Sequence, residues 1–104
     1  MSRPPFRVLV WHRAPAGQPD AVQRAYRAAR DGLAGVPGYA GDELLRSTAG
    51  DGRYLLVMHW RDESAFTAWE RAHRRAGHPS PLRQFAERDR PGGHVARFAV
   101  LGEC

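Results

Sequence analysis

The chain has 104 residues, of which 42% are hydrophobic and 10% aromatic, enough for one globular domain without a second core. No apolar run approaches about 20 residues and no apolar stretch follows the N-terminus, so we expect neither a membrane span nor a secretory signal. The net charge of +5 comes from sixteen arginines, but no nucleic-acid-binding motif accompanies them, so we expect no nucleic-acid partner.

The first half of the chain predicts a strand followed by a helix. Residues 6–13 are rich in aromatic and β-branched side chains, which favours a strand. Pro19 and Asp20 suit the first turn of a helix, and Gly35, Pro37 and Gly38 would end it. Apolar residues recur at helical spacing along one side of this segment: Val22, Tyr26, Ala29 and Leu33. The pattern indicates a helix that lies on a sheet.

The second half predicts a hairpin, a second helix and a final strand. Residues 39–47 and 53–60 read as strands joined by a glycine-rich turn. Asp62 is a good N-cap for a helix whose inner face would carry Ala65, Phe66, Trp69 and either Ala72 or His73. After a break at residues 77–81, we expect one or two helical turns over 82–89 and a last strand over 94–101.

The order β-α-β-β-α-β predicts a ferredoxin-like α+β fold, with a four-stranded antiparallel sheet and both helices on one face. The other face would be bare, and a domain this small is a candidate for stabilisation by dimerisation. Two sheets packed face to face would form a barrel-like homodimer with a pocket in each protomer. Cys104 is the only cysteine, so no intramolecular disulfide can form, and we expect a cytoplasmic protein.

Trp69 and His78 are the most informative pair of residues. An indole on a helix face, followed by an imidazole where the helix breaks, can hold a flat aromatic cofactor against a ligating nitrogen. The alternative is a core tryptophan and a solvent-facing histidine, which spacing alone does not exclude. A second metal-ligand pair of His73 with His78 lacks a carboxylate to complete it, so we expect His73 at the surface.

Several segments together resemble the antibiotic biosynthesis monooxygenase superfamily of dimeric α/β barrels. They are Pro15–Gly17, Val36–Tyr39, Leu44–Arg46, Arg53–Tyr54, His59–Trp60 and Glu63–Trp69. The resemblance covers roughly residues 6–101 and implies an oxygenase. It also implies a homodimer that binds heme or another small aromatic ligand.

Within that superfamily the pattern is most similar to the heme-degrading monooxygenases. The resemblance implies that His78 ligates heme iron, that Trp69 shapes the porphyrin plane, and that Val10 and Phe66 line the pocket wall. Arginines of the region 71–83 would meet the propionates. Val10 occupies the position of the family's asparagine, and valine cannot donate a hydrogen bond, so we expect heme binding to survive and heme self-degradation to weaken. Strand alternation places His12, but not Trp11, on the same side as Val10.

A second branch, the cofactor-independent anthrone oxygenases of aromatic polyketide pathways, is also similar. Here the resemblance implies that Trp60 and Arg83 bind substrate and stabilise an enolate-like anion. The branch has a tyrosine where this chain has Phe66, which can stack but cannot donate a hydrogen bond. A third possibility is a non-catalytic barrel that binds a hydrophobic small molecule.

Overall fold

The computed structural model describes residues 3–77 and 79–103; Met1, Ser2, His78 and Cys104 lie outside the described residues. Its elements are β1 (Phe6–Arg13), α1 (Ala21–Ala29), β2 (Tyr39–Arg46), β3 (Arg53–Trp60), α2 (Glu63–Ala76) and β4 (Val95–Ala99). Short 3₁₀ turns follow α1 at Arg30–Leu33 and precede β4 at Arg83–Phe85. The predicted β-α-β-β-α-β order is confirmed, and β4 is shorter than expected at both ends.

The four strands form one antiparallel sheet in the order β2-β3-β1-β4. β1 pairs with both β3 and β4, and β2 pairs along β3. The two central strands are therefore β1 and β3, which carry most of the buried strand residues. This topology is the ferredoxin-like α+β arrangement that the sequence predicts.

The inner face of the sheet packs against both helices and forms the core. Val22 of α1 and Phe66 of α2 are buried against it, and both follow the helical spacing that the sequence predicts. The strand residues of this core alternate along β1 and β3: Phe6, Val8, Tyr54, Leu56, Met58 and Trp60. Alternation by two residues thus assigns one side of each central strand to the helices.

The outer face of the sheet carries apolar and charged side chains, and no helix or strand of the described chain covers it, although the Arg90 guanidinium lies 3.6 Å from the centre of the Trp11 ring at one end. Directly paired residues form three rows across the sheet. These rows are Leu45–Leu55–Trp11, Glu43–Val57–Leu9–Ala96 and His59–Arg7–Phe98. Leu45 is 44% exposed and Phe98 is 54% exposed.

Helix α2 begins and ends as its sequence predicts. The Asp62 side chain accepts a hydrogen bond of 2.9 Å from the Ala65 backbone N–H, which caps the first turn. Gly77 ends the helix at φ 71°, a left-handed conformation that glycine adopts without steric cost. No helix in the described ranges has the length and apolar character needed to cross a membrane.

Candidate functional site

A cleft of about 790 Å³ lies between the inner face of the sheet and the two helices. Its floor consists of alternate residues from the two central strands and from β4: Val8, Val10, His12, Leu56, Met58 and Val95. All of these side chains except that of His12 are apolar. The floor therefore favours a largely apolar ligand and offers it one imidazole.

Aromatic side chains of α2 form one wall of the cleft. The ring of Trp69 lies 5.6 Å from that of Trp60 and 6.1 Å from that of Phe66, measured between centroids. On its other side Trp69 stacks on His73, with centroids 4.9 Å apart and planes 17° from parallel. Trp69 thus links the aromatic core to the cleft.

The sequence analysis expects His73 at the surface, but the structure places it partly inside. It is half-buried and lines the cleft, while Ala72 is exposed. The physical reason is the spacing of four residues from Trp69, which brings the two rings onto the same helix face. His73 therefore takes the inner position that the sequence left open between it and Ala72.

Four arginines contribute to the lining of the cleft: Arg30, Arg74, Arg83 and Arg88. One lining carboxylate, Glu70, is already paired, since it accepts hydrogen bonds of 3.2 and 3.3 Å from Arg97. Arg74 lies 3.8 Å from the same carboxylate. The margin of the cleft is therefore more cationic than its floor and suits a ligand with carboxylates.

Tyr26 and Asp42 connect α1 to β2 at the cleft. The Tyr26 hydroxyl donates a hydrogen bond to the Asp42 carboxylate, and both residues line the cleft. Burial and the neighbouring carboxylate raise the pKa of Tyr26 above its ordinary value. Strand alternation places the half-buried Asp42 on the inner face of the sheet and the exposed Glu43 on the outer face.

His12 is the most deeply buried histidine of the described chain, at 2% exposure. Burial lowers its pKa from 6.5 to about 4, because the charged imidazolium loses its hydration. Its Nδ1 atom has no hydrogen-bond partner among residues 3–77 and 79–103. The side chain is thus a neutral imidazole on the cleft floor with one unused hydrogen-bonding atom.

The structure brings together four of the site residues that the sequence proposes: Val10, Phe66, Trp69 and Arg83 all line the cleft. Trp60 does not contribute to the lining, since it is buried in the aromatic core beneath Trp69. The proposed role of each residue stays a prediction.

His78, the predicted iron ligand, lies outside the described residues. Its neighbours Gly77 and Pro79 both line the cleft, so the chain borders the cleft on either side of this position. In the described ranges no group of three or more histidine, cysteine, aspartate or glutamate side chains could hold a metal ion.

Sequence reasoning missed the contributions of Tyr26, Asp42 and His94 to the cleft lining. Tyr26 carried a usable signal, since it belongs to the apolar helix face. For Asp42 the only signal was the alternation of residues along β2, and a charged residue is not usually assigned to an inner face on that evidence alone. His94 precedes β4, and its position depends on how the chain turns into that strand.

A four-stranded antiparallel sheet with two helices and a ligand-sized cleft on one face defines a ferredoxin-like α+β protein. Residues 5–79 match the family described as antibiotic biosynthesis monooxygenase. This match covers more than half of the chain, and the chain belongs to that family.

One relative and one solved structure are similar to this chain over most of its length. A mycobilin-producing heme oxygenase of Mycobacterium tuberculosis is 33% identical over 64 residues, which span 62% of this chain and 61% of the relative. The structure of the heme degrader MhuD of M. tuberculosis, with two hemes bound in its active site, is 27% identical. Its TM-score is 0.68, with coverage of 97% of this chain and 99% of MhuD.

The cofactor-independent oxygenase SnoaB of Streptomyces nogalater has the same fold. It is 18% identical, with a TM-score of 0.66 and coverage of 98% of this chain and 97% of SnoaB. At this identity the likeness concerns the fold alone.

Proposed function

We propose that the protein is a heme-binding monooxygenase in which His78 ligates the iron and Trp69 shapes the porphyrin plane. The observation that carries the proposal is the cleft itself. The Trp69 indole forms part of its wall, and Gly77 and Pro79, on either side of His78, border it. Relatives that are described as a heme oxygenase and a heme degrader support heme as the ligand.

The chemistry of the cleft fits a porphyrin. Heme has a flat apolar body and two carboxylates at one edge, and the cleft combines an apolar floor with nearby arginines. Of the predicted propionate-binding region, Arg74 and Arg83 line the cleft, whereas Arg71 and Arg75 do not. We therefore assign the propionates to Arg74 and Arg83, because guanidinium groups bind carboxylates in a bidentate manner.

The remaining residues hold the ligand and exclude water. Val10 and Phe66 offer apolar surface to the porphyrin, and Trp69 supplies a rigid ring that His73 supports from behind. When bound, heme supplies an iron centre for oxygen chemistry, which its apolar surroundings tune. Because Val10 cannot donate a hydrogen bond, we expect heme binding to survive and heme self-degradation to weaken.

Titration with hemin tests this proposal. The wild-type protein should give a sharp Soret band that His78→Ala abolishes or shifts. His59→Ala is the matched control, since His59 lies on the outer face of the sheet, where its Nε2 atom is 3.6 Å from Glu43. A wild-type spectrum identical to that of free hemin, or an unchanged spectrum in His78→Ala, would refute the ligand assignment.

The second candidate is a cofactor-independent oxygenase that oxidises an anthrone-like substrate through a carbanion. Arg83 supports it, since this arginine is exposed and lines the cleft, where it could stabilise an anion. Trp60 could act only through its packing against Trp69. Heme-free protein should then consume oxygen with dithranol, and Arg83→Ala should reduce the rate strongly while Arg24→Ala should not.

Ligand-dependent thermal stabilisation without any turnover would instead favour a non-catalytic binder.

We also propose that the protein forms a homodimer through the outer face of the sheet. An exposed apolar face of this extent is typical of an interaction surface. A second copy would cover Leu45 and Phe98 and would complete the barrel. Sedimentation or light scattering at micromolar concentration should give twice the mass of the chain, and a monomer at that concentration would contradict the proposal.

A further inference from the structure

The unused hydrogen-bonding atom of His12 needs a partner. Buried polar atoms in proteins nearly always have a hydrogen-bond partner, because an unpaired buried donor or acceptor is costly. His12 is 2% exposed, and its Nδ1 has no partner within the described ranges. Since His12 lines the cleft, a ligand in the cleft can supply the missing bond.

The register of the sheet places this imidazole at one end of the cleft floor. His12 pairs directly with Tyr54, one inner-face position beyond the pair Val10–Leu56. Tyr54 donates its hydroxyl to the Pro19 carbonyl at 2.8 Å and is therefore already engaged. His12 is thus a polar position that continues the apolar floor formed by Val10 and Leu56.

Two other polar groups of the cleft have partners within the protein. Tyr26 bonds to Asp42, and Glu70 bonds to Arg97. These pairs join elements of the fold to each other and hold the cleft in shape. The buried side-chain atoms without a partner in the described ranges are His12 Nδ1 and Trp60 Nε1, and of these two residues only His12 lines the cleft.

The environment of His12 restricts what it can bind. Burial lowers the pKa of His12 to about 4, so the imidazole is neutral near pH 7. A neutral imidazole carries one N–H donor and one acceptor nitrogen, and can pair with a hydroxyl, a carbonyl or a water molecule. A carboxylate is better placed at the arginines, where a full positive charge faces it.

We propose that His12 is a ligand-binding residue whose imidazole hydrogen-bonds a neutral oxygen atom of the molecule in the cleft. The inference rests on the proposed function for the identity of that molecule. The oxygen has two possible sources with the same chemistry: water carried by heme iron, or a hydroxyl group of an organic aromatic ligand. In both cases His12 holds a neutral oxygen atom of the ligand and the arginines hold its carboxylates, so the two contacts together orient the ligand.

Three variants separate the hydrogen bond from the packing of the side chain. His12→Leu keeps an apolar side chain at the position and removes both nitrogens. His12→Asn retains a hydrogen-bonding atom close to the position of Nδ1, so it should restore part of the effect. His59→Leu removes a histidine from the opposite face of the same sheet and is the matched control. Thermal unfolding of each variant verifies that it folds.

The first arm uses hemin-loaded protein and measures the acid–alkaline transition of the ferric heme spectrum. This transition reports hydrogen bonding to the water on the iron. His12→Leu should move its midpoint by about one pH unit or more, since one hydrogen bond is worth roughly a factor of ten. His12→Asn should return the midpoint toward the wild-type value, and His59→Leu should leave it unchanged.

The second arm uses heme-free protein and compares 2-naphthol with naphthalene by quenching of tryptophan fluorescence. His12→Leu should weaken the binding of 2-naphthol roughly tenfold and leave that of naphthalene unchanged. An effect in the first arm identifies heme-bound water as the source of the oxygen, and an effect in the second identifies the organic hydroxyl.

The inference is overturned if His12→Leu behaves as wild type in both arms, or if His59→Leu produces the same changes. Failure of the proposed function is a different result. In that case wild-type protein gives no bound-heme spectrum, while the naphthol arm still tests His12 on its own.

Discussion

Both faces of the sheet carry apolar side chains, yet they are completed in different ways. The inner face is covered by α1 and α2, which bury Val22 and Phe66 against it and leave a cleft beside Trp69. The outer face carries similar side chains in the same strands, but Leu45 and Phe98 remain exposed. The same alternation of residues therefore produces one face with a ligand site and one face that needs a partner.

The two faces also differ in polarity. On the inner face an uncharged imidazole is buried at His12, whereas on the outer face His59 lies near Glu43 and keeps access to water. The inner face can thus impose a neutral, desolvated environment on a ligand. The outer face has the mixed apolar and charged character of a surface between two protein copies.

The largest expected difference between the two faces comes from the substitution of one phenylalanine on each face. Phe6→Ala removes a buried ring from the inner core and should lower the free energy of unfolding by about 3–5 kcal/mol. Phe98→Ala removes an exposed ring and should weaken self-association instead. Chemical denaturation over a range of protein concentrations distinguishes the two results. Equal losses that do not depend on concentration would erase the distinction between the faces.

Acid should destabilise the inner face through His12. The folded protein holds the pKa of His12 near 4, below the ordinary 6.5, so the unfolded chain binds the proton more readily and stability falls as pH drops through this window. At pH 4 the wild type should have lost about 3 kcal/mol relative to His12→Leu. Urea denaturation of the heme-free proteins at pH 7 and pH 4 measures the difference. Parallel losses in both proteins would contradict a buried neutral imidazole.

A charge on the outer face should break the dimer. Val57 lies in the central row of this face, between Glu43 and Leu9, and Val57→Lys should weaken association by at least roughly a factor of ten. Ala68→Lys is the control, because Ala68 lies on the exposed side of α2 and outside the cleft lining. Analytical ultracentrifugation gives the dissociation constants. Dissociation caused by the control and not by Val57→Lys would assign the interface to the helices.

A smaller effect is expected from the hydrogen bond between Tyr26 and Asp42 at the cleft. Tyr26→Phe removes the hydroxyl that donates to Asp42 and should cost about 1 kcal/mol of folding stability. The bond joins α1 to β2, so hydrogen exchange in α1 should also increase. Unchanged exchange in α1 would indicate that packing alone positions this helix beside the sheet.

Much of the fold could be predicted from local sequence patterns. The bounds of β1 and β3 agree with the structure because alternation, strand propensity and flanking glycines all point to the same segments. Asp62 and Gly77 mark the limits of α2 by chemistry that requires no tertiary information. By contrast, β4 is short because its pairing with β1 ends at Val95, which depends on the register between distant strands.

The candidate site was less predictable for the same reason. Trp69, Phe66 and Val10 follow from helical and strand periods, and they line the cleft. Trp60 belongs to the same inner face, but only the packing of α2 above it decides that Trp69 and not Trp60 borders the cleft. The unpaired state of His12 could not be predicted either, since it depends on every neighbouring side chain.

Hemin titration of two β1 variants, one on each face of the sheet, tests the central claim most directly. Val10 and Leu9 are adjacent in β1 but belong to opposite faces, and only Val10 lines the cleft. Val10→Phe fills part of the floor and should reduce hemin affinity at least roughly tenfold, while Leu9→Phe should retain the wild-type Soret band and affinity. Equal affinity in wild type and Val10→Phe, with loss in Leu9→Phe, would contradict a heme site between the sheet and the helices.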